Sequence, residues 1–194
     1  MFKYWLLATR PKTLVASVLP VTAGYLLAWD QSKDVSIFIG LLCLIYCLLI
    51  QIGTNLANDY YDFMKGADEK RTNAPERMVS SGIINPKSML FATYLVLFAG
   101  FVVGIFIMEA VHASRLLLLV GFLSFICGIG YTGGPYPLAY NGLGDLFVLI
   151  FFGFVGVEVT HYVIVLSAGQ PWQPNCILPL GVGFVINNLL VVNN

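Results

Sequence analysis

Six long apolar segments, separated by short polar stretches, dominate the pattern of this sequence. They cover residues 13–29, 35–57, 88–108, 115–131, 143–167 and 177–194. A helix needs about 20 mostly apolar residues to cross a bilayer, and helices satisfy their own backbone hydrogen bonds there. The alternating pattern of a membrane β-barrel is absent. The sequence therefore predicts an all-α integral membrane protein in which residues 1–194 form a single membrane domain.

The composition agrees with this class. Of the 194 residues, 58% are hydrophobic and only 10% are charged, whereas a soluble domain carries about 25% charged residues. The predicted solvent for most of the surface is therefore the lipid bilayer. The formal net charge is zero, so the sequence does not indicate a nucleic-acid partner.

The basic residues are concentrated on one side of the predicted membrane domain. Three precede the first segment and five lie between the second and third segments: Lys3, Arg10, Lys12, Lys65, Lys70, Arg71, Arg77 and Lys87. The other side has only Lys33 and Arg115. The positive-inside rule then predicts that the N-terminus and the loop at 58–87 are cytosolic. We expect a multi-pass protein of the inner (cytoplasmic) membrane.

A polar cluster ends the second apolar segment. Asn55, Asp59 and Asp62 follow the i, i+4, i+7 pattern of one helical face, and Asn58 lies four residues before Asp62. Amide and carboxylate oxygens are ligands of Mg²⁺, which also binds substrate phosphates. Basic side chains follow closely and can neutralise phosphate charge: Lys65, Lys70, Arg71 and Arg77. The cluster favours a metal-bridged diphosphate, although a solvated loop of mixed charge would contain the same residue types.

The spacing of these residues resembles a known motif. Asn58-Asp59-x-x-Asp62-x-x-x-Gly66-x-Asp68, followed by Arg71, Pro75, Arg77 and Gly82, resembles the first aspartate motif of UbiA-type membrane prenyltransferases. Three further segments are similar to that family: 10–13 (RPKT), 131–137 (YTGGPYP) and 142–148 (GLGDLFV). Within the family the resemblance is greatest to the 1,4-dihydroxy-2-naphthoate polyprenyltransferases of menaquinone synthesis.

The resemblance implies a fold and a reaction. The family has nine transmembrane helices around a cavity, so this chain would supply about six of them. The partners would be a prenyl diphosphate, 1,4-dihydroxy-2-naphthoate and the bilayer, with Mg²⁺ as the cofactor. The diphosphate ionises, the aromatic ring attacks the allylic cation, and demethylmenaquinone is formed.

The resemblance also implies roles for individual residues. The metal ligands would be Asn58, Asp59, Asp62 and Asp68. The diphosphate would contact Lys65, Lys70, Arg71, Arg77 and Arg10. Tyr131 would stabilise the cation through its ring, as a catalytic residue together with Asp59 and Asp62. The aromatic substrate would lie near Asn55 and Glu158, because a carboxylate within a span indicates a functional site.

Two departures from the family leave alternatives open. The segment 159–162 reads VTHY where the family has a run like GTYY, so the identity of the aromatic acceptor is open. The family's second aspartate motif does not occur before Asn194, so we expect that this chain alone does not catalyse prenyl transfer. An inactive remnant of the enzyme, or a small transporter that uses Glu158 as an ion site, would be the alternative functions.

Overall fold

A computed structural model of the chain describes residues 1–67 and 77–193, and side chains as far as residue 190. Within these residues the protein is helical, with no β-strand. The α-helices are α1 (Phe2–Ala8), α2 (Val15–Gln31), α3 (Ile37–Met64), α4 (Pro86–Ala110), α5 (Leu116–Gly130), α6 (Gly144–Val148), α7 (Thr160–Ser167) and α8 (Ile177–Asn193). Two short 3₁₀ turns lie at Pro11–Leu14 and Leu138–Asn141, and a π-helix at Leu149–Val159 joins α6 to α7.

Four helical stretches are long and apolar enough to cross a bilayer: Pro11–Gln31, Ile37–Met64, Pro86–Ala110 and Gly144–Ser167. The other two predicted segments form shorter apolar helices at Leu116–Gly130 and Ile177–Leu190. The predicted class, an all-α membrane protein, is confirmed. That α5 and α8 also span the bilayer stays a prediction. The sequence pattern did not predict α1, which at seven residues is too short to form a span.

Helix α2 packs between α3 and the continuous helix formed by α6, the π-helix and α7. The contact between α2 and this continuous helix is close because Gly24 has no side chain. A Cβ atom on Gly24 would lie 2.4 Å from the carbonyl oxygen of Val157 and 2.8 Å from Cβ of Thr160. Small residues that let helix backbones approach are typical of membrane helix packing.

We expect Gly24→Ala to destabilise the bundle. The added methyl group overlaps the Val157 carbonyl, so the helices must separate, and overpacking of this kind costs about 1–3 kcal/mol. The matched control is Gly181→Ala in α8, where no atom lies within 4 Å of the added carbon. Thermal unfolding in detergent measures both variants. Equal melting temperatures for the two variants would contradict the close approach.

One end of the bundle brings together three segments that are distant in sequence. The amide of Asn55 in α3 donates a hydrogen bond of 2.8 Å to the carbonyl of Thr9, just after α1. Lys65, at the end of α3, donates a hydrogen bond of 2.6 Å to the carbonyl of Thr132, just after α5. The segments that contain Thr9, Lys65 and Thr132 therefore meet at the same end of the helices.

Candidate active site

A cavity begins at this end and extends into the bundle. Its volume is about 520 Å³, and α3 lines it from Cys43 to Asp62. Those 19 residue steps correspond to about 28 Å of helix. Its inner walls are mostly apolar and include Ile50, Phe101, Phe147 and Phe151. The polar side chains at its mouth are Arg10, Asn55, Asn58, Asp62, Arg77, Tyr131, Thr132 and Tyr140.

Asn58 and Asp62 lie one helical turn apart and both line the cavity. The side-chain oxygen of Asn58 accepts a hydrogen bond of 2.7 Å from the hydroxyl of Thr132. The carboxylate of Asp62 accepts a hydrogen bond from the hydroxyl of Tyr140 and forms an ion pair with Arg77. The Asp62 and Arg77 side chains are only 2% and 7% exposed, so this ion pair is buried at the wall of the cavity.

Asp59 faces a different segment. Its two carboxylate oxygens accept hydrogen bonds of 3.1 Å each from the backbone N–H groups of Met78 and Val79. Asp59 is 3% exposed and does not line the cavity. Successive residues of a helix are about 100° apart, so Asn58 and Asp59 cannot point to the same side. The assignment of Asp59 as a metal ligand stays a prediction, and these contacts give it no support.

Asn55 holds the chain on either side of Arg10. Its amide group donates to the carbonyl of Thr9 at 2.8 Å and to the hydroxyl of Thr13 at 3.0 Å. Arg10 has φ 52° and ψ 68°, in the left-handed region. A residue other than glycine pays roughly 1–2 kcal/mol for this conformation, and such strain is characteristic of functional sites. Arg10 thus combines a strained backbone with a position at the mouth of the cavity.

Lys65 is directed to the loop after α5. Its ammonium group donates to the carbonyls of Thr132 and Gly134, at 2.6 and 3.2 Å, and lies 5.5 Å from the ring centre of Tyr140. Lys65 does not line the cavity. The predicted residues Asp68, Lys70 and Arg71 lie outside the described residues.

The loop after α5 contributes aromatic residues to the mouth. Tyr131 lines the cavity. Its hydroxyl oxygen lies 3.1 Å from the position that a Cβ atom on Gly144 would occupy. Sequence reasoning missed Tyr140 and Thr132, although both lie in or just after the quoted motif at 131–137.

Glu158 does not line the cavity. One carboxylate oxygen accepts a hydrogen bond of 3.3 Å from the backbone N–H of Asn175, and the other lies 3.8 Å from Nδ1 of His161. The other ring nitrogen of His161 lies 3.1 Å from the side-chain oxygen of Gln31. The structure thus brings Glu158 to the loop before α8, and a contact with the aromatic substrate has no geometric support.

The described residues contain no group of three or more His, Cys, Asp or Glu side chains that could hold a metal ion. Asn58 and Asp62 together offer an amide oxygen and a carboxylate. Mg²⁺ typically binds one or two carboxylates, with phosphate and water as its remaining ligands. This donor set therefore fits Mg²⁺ when a phosphate-bearing ligand completes the coordination.

These features define a membrane-embedded helical bundle with a long apolar cavity and a polar, arginine-containing mouth, suited to a ligand with an apolar tail and an anionic head. Comparison with known proteins agrees with this class. Residues 17–193 match the model of the UbiA prenyltransferase family. The chain belongs to the UbiA prenyltransferase family, which confirms the resemblance noted in the sequence.

Several curated relatives carry the name 1,4-dihydroxy-2-naphthoate octaprenyltransferase. The protein of Haemophilus influenzae is 33% identical over 198 residues, covering 99% of this chain and 63% of the relative. The Mycobacterium leprae protein is 34% identical, covering 100% of this chain and 63% of the relative. The Escherichia coli protein is 36% identical, covering 98% of this chain and 62% of the relative. This chain therefore spans somewhat less than two thirds of the length of these relatives.

Proposed function

We propose that this chain provides the prenyl diphosphate site of an enzyme that transfers a polyprenyl chain to 1,4-dihydroxy-2-naphthoate. The observation that carries the proposal is the cluster of Asn58, Asp62 and Arg77 at the mouth of an apolar cavity. The names of the relatives support the identity of the acceptor. The cavity suits the apolar tail, and its mouth suits the diphosphate.

The proposed reaction replaces the carboxyl group of the acceptor with the prenyl chain. The bond between the first prenyl carbon and the diphosphate oxygen breaks, and its electron pair leaves with diphosphate. A ring carbon of the naphthoate forms the new carbon–carbon bond. The carboxyl group on that carbon then leaves as carbon dioxide and returns its electron pair to the ring. The product is demethylmenaquinone in its reduced form.

The diphosphate would be bound by Asn58 and Asp62, through Mg²⁺, and by Arg77. The metal would supply positive charge to the departing diphosphate. Asp62 now pairs with Arg77. Because a guanidinium group binds phosphate oxygens through two parallel hydrogen bonds, an arriving diphosphate would draw Arg77 towards itself. This would release one Asp62 oxygen for the metal. Arg10 would approach the same anion from the N-terminal side.

The inner cavity would protect the allylic cation. Apolar side chains such as Phe147 and Phe151 line it and would exclude water from the cation. The ring of Tyr131, at the mouth, would present its negative π face to the same charge. Asp59 and Lys65 would act through the segments they hold, rather than by touching the substrate.

The polar mouth would face the cytosol at the inner membrane, with the N-terminus on the same side. The positive-inside rule supports this orientation, because the mouth contains Arg10 and Arg77 and Lys65 lies beside it. The transporter alternative gains no support from Glu158. That carboxylate lies away from the cavity, beside His161 and Asn175.

The test is a prenyl-transfer assay on a fusion protein. This chain is joined to the portion of the Escherichia coli relative that it does not match, and the fusion protein is purified in detergent. It is incubated with a polyprenyl diphosphate, Mg²⁺ and 1,4-dihydroxy-2-naphthoate, and the product is identified by mass spectrometry. We expect the decarboxylated, prenylated product with Mg²⁺ and none with EDTA. A fusion protein that is folded but prenylates only a one-ring acid such as 4-hydroxybenzoate would contradict the proposed acceptor.

A further inference from the structure

The polar end of α3 carries two pairs of residues that have different partners. Asn58 and Asp62 line the cavity and contact side chains at its mouth. Asn55, which also lines the mouth, and Asp59, one helical turn later, form their hydrogen bonds with neighbouring chain segments. Building on the proposed function, we propose that Asn55 and Asp59 are positioning residues, which hold the backbones that present Arg10 and Arg77 to the diphosphate.

The contacts of Asp59 support this role. It accepts hydrogen bonds from two consecutive backbone N–H groups, those of Met78 and Val79. Arg77 immediately precedes them, so the Asp59 carboxylate fixes the point from which the Arg77 side chain emerges. That side chain then reaches back to Asp62, three residues after Asp59 on the same helix. The two aspartates thus hold one arginine, Asp59 through the backbone and Asp62 through the guanidinium.

The contacts of Asn55 are equivalent on the other side of the mouth. Its amide nitrogen donates to the carbonyl of Thr9 and to the hydroxyl of Thr13, residues that flank Arg10. Arg10 has a left-handed backbone, and a strained conformation persists only where its surroundings determine it. The two hydrogen bonds from Asn55 supply such a constraint. Asn55 therefore fixes the backbone of the second arginine.

A metal-binding role for Asp59 would break these contacts. Coordination of Mg²⁺ by Asp59 would withdraw its oxygens from two N–H groups, and buried backbone groups are almost always paired. Its carboxylate would also have to turn to the side of the helix on which Asn58 lies, about 100° away. Asn58 and Asp62 are already on that side and need no such change. The metal therefore belongs to Asn58 and Asp62.

The test compares Asp59→Asn with Asp62→Asn in the purified chain, after thermal unfolding has verified that both variants fold. Hydrogen exchange of the ligand-free protein is measured on peptides that contain residues 77–84. We expect faster exchange of the Met78 and Val79 amides in Asp59→Asn only.

Binding of Mn²⁺ with inorganic diphosphate is then measured by electron paramagnetic resonance. Asp59→Asn should weaken diphosphate binding by about tenfold or more, as misplaced binding groups do, and leave the spectrum of bound Mn²⁺ unchanged.

Further variants complete the comparison. Asp62→Asn should alter the Mn²⁺ spectrum, because it removes a ligand. Asn55→Ala should speed exchange at residues 9–13 and also leave the spectrum unchanged. The control Asp34→Asn replaces an exposed carboxylate and should change neither measurement. If Asp59→Asn does not fold, Asp59→Glu takes its place, because it keeps the negative charge on a longer side chain.

Two results would overturn the positioning role of Asp59: unchanged exchange at residues 78 and 79 in Asp59→Asn, or the same loss of Mn²⁺ coordination as in Asp62→Asn. Unchanged exchange at residues 9–13 in Asn55→Ala would overturn the role of Asn55. Failure of the wild-type chain to bind Mn²⁺ with diphosphate would count against the proposed function. In that case the exchange measurements still decide whether Asn55 and Asp59 hold these segments.

Discussion

Asp62→Ala in the fusion protein is expected to lower the rate of prenyl transfer by about 100-fold or more, the scale of losing one preorganised electrostatic group. The carboxylate lies at the mouth of the cavity and contacts both Arg77 and Tyr140. Its removal takes away the carboxylate proposed to bind the metal and releases the arginine. Initial rates at saturating Mg²⁺ and substrates measure the effect.

The matched control is Asp34→Ala, which removes an exposed carboxylate that precedes α3, at the opposite end of that helix from the cavity mouth. It should retain the wild-type rate. Circular dichroism of both variants separates a loss of catalysis from a loss of fold. If Asp62→Ala is folded and keeps the rate of Asp34→Ala, the metal assignment is wrong.

Arg77→Ala is expected to have the largest effect on stability. Its guanidinium is the cation paired with the buried carboxylate of Asp62. Removing one partner of a buried ion pair costs about 3–5 kcal/mol, because the other charge is left uncompensated. The double variant with Asp62→Ala should recover part of that loss. The free energy of unfolding in mixed micelles is measured by titration with sodium dodecyl sulfate for the wild type, the two single variants and the double variant.

Arg115→Ala serves as the control for the loss of one arginine, since Arg115 is exposed before α5. It should change the free energy of unfolding by less than about 0.5 kcal/mol, as surface substitutions do. Additive effects of Arg77→Ala and Asp62→Ala would show that the two side chains do not interact, contrary to the geometry described above.

The membrane class could be predicted from the sequence, and a candidate site could be proposed, because both depend on strong local patterns. Apolar segments of 20 or so residues have few alternatives to membrane helices. The polar end of α3 is conspicuous because Asp59 and Asp62 follow an apolar run directly. The order of the quoted motifs then indicated the family, and the structure brings Tyr131 and the end of α3 to one cavity.

The direction of individual side chains could not be predicted in this way. Helical periodicity placed Asn55, Asp59 and Asp62 on one face, but a face is broad enough to contact several segments. Asp59, at one edge of it, meets the backbone of Met78 and Val79. Which segment approaches that edge depends on how the chain returns to the bundle, and periodicity carries no information about that.

Lys65 and Tyr140 show the same limit. Lys65 resembles a phosphate ligand in sequence, yet its ammonium group binds the carbonyls of Thr132 and Gly134. Tyr140 lies between the quoted motifs at 131–137 and 142–148, but nothing in the sequence indicates that its hydroxyl binds Asp62, 78 residues away. Both contacts arise from tertiary packing of the loop after α5. A search for polar residues near a recognised motif would have found Tyr140, but not its partner.

In the proposed mode of binding, the cavity of this chain holds the prenyl diphosphate with its tail inward and its diphosphate at Asp62. Photo-crosslinking tests this most directly. A prenyl diphosphate analogue with a benzophenone group on its tail is irradiated with the fusion protein, and the modified residues are located by mass spectrometry. We predict crosslinks to the cavity wall, at Phe147, Phe151 or Ile50, that require Mg²⁺ and disappear in Asp62→Ala. Crosslinks confined to exposed residues of α4 such as Phe91 and Phe98, or independent of Mg²⁺ and Asp62, would contradict the account.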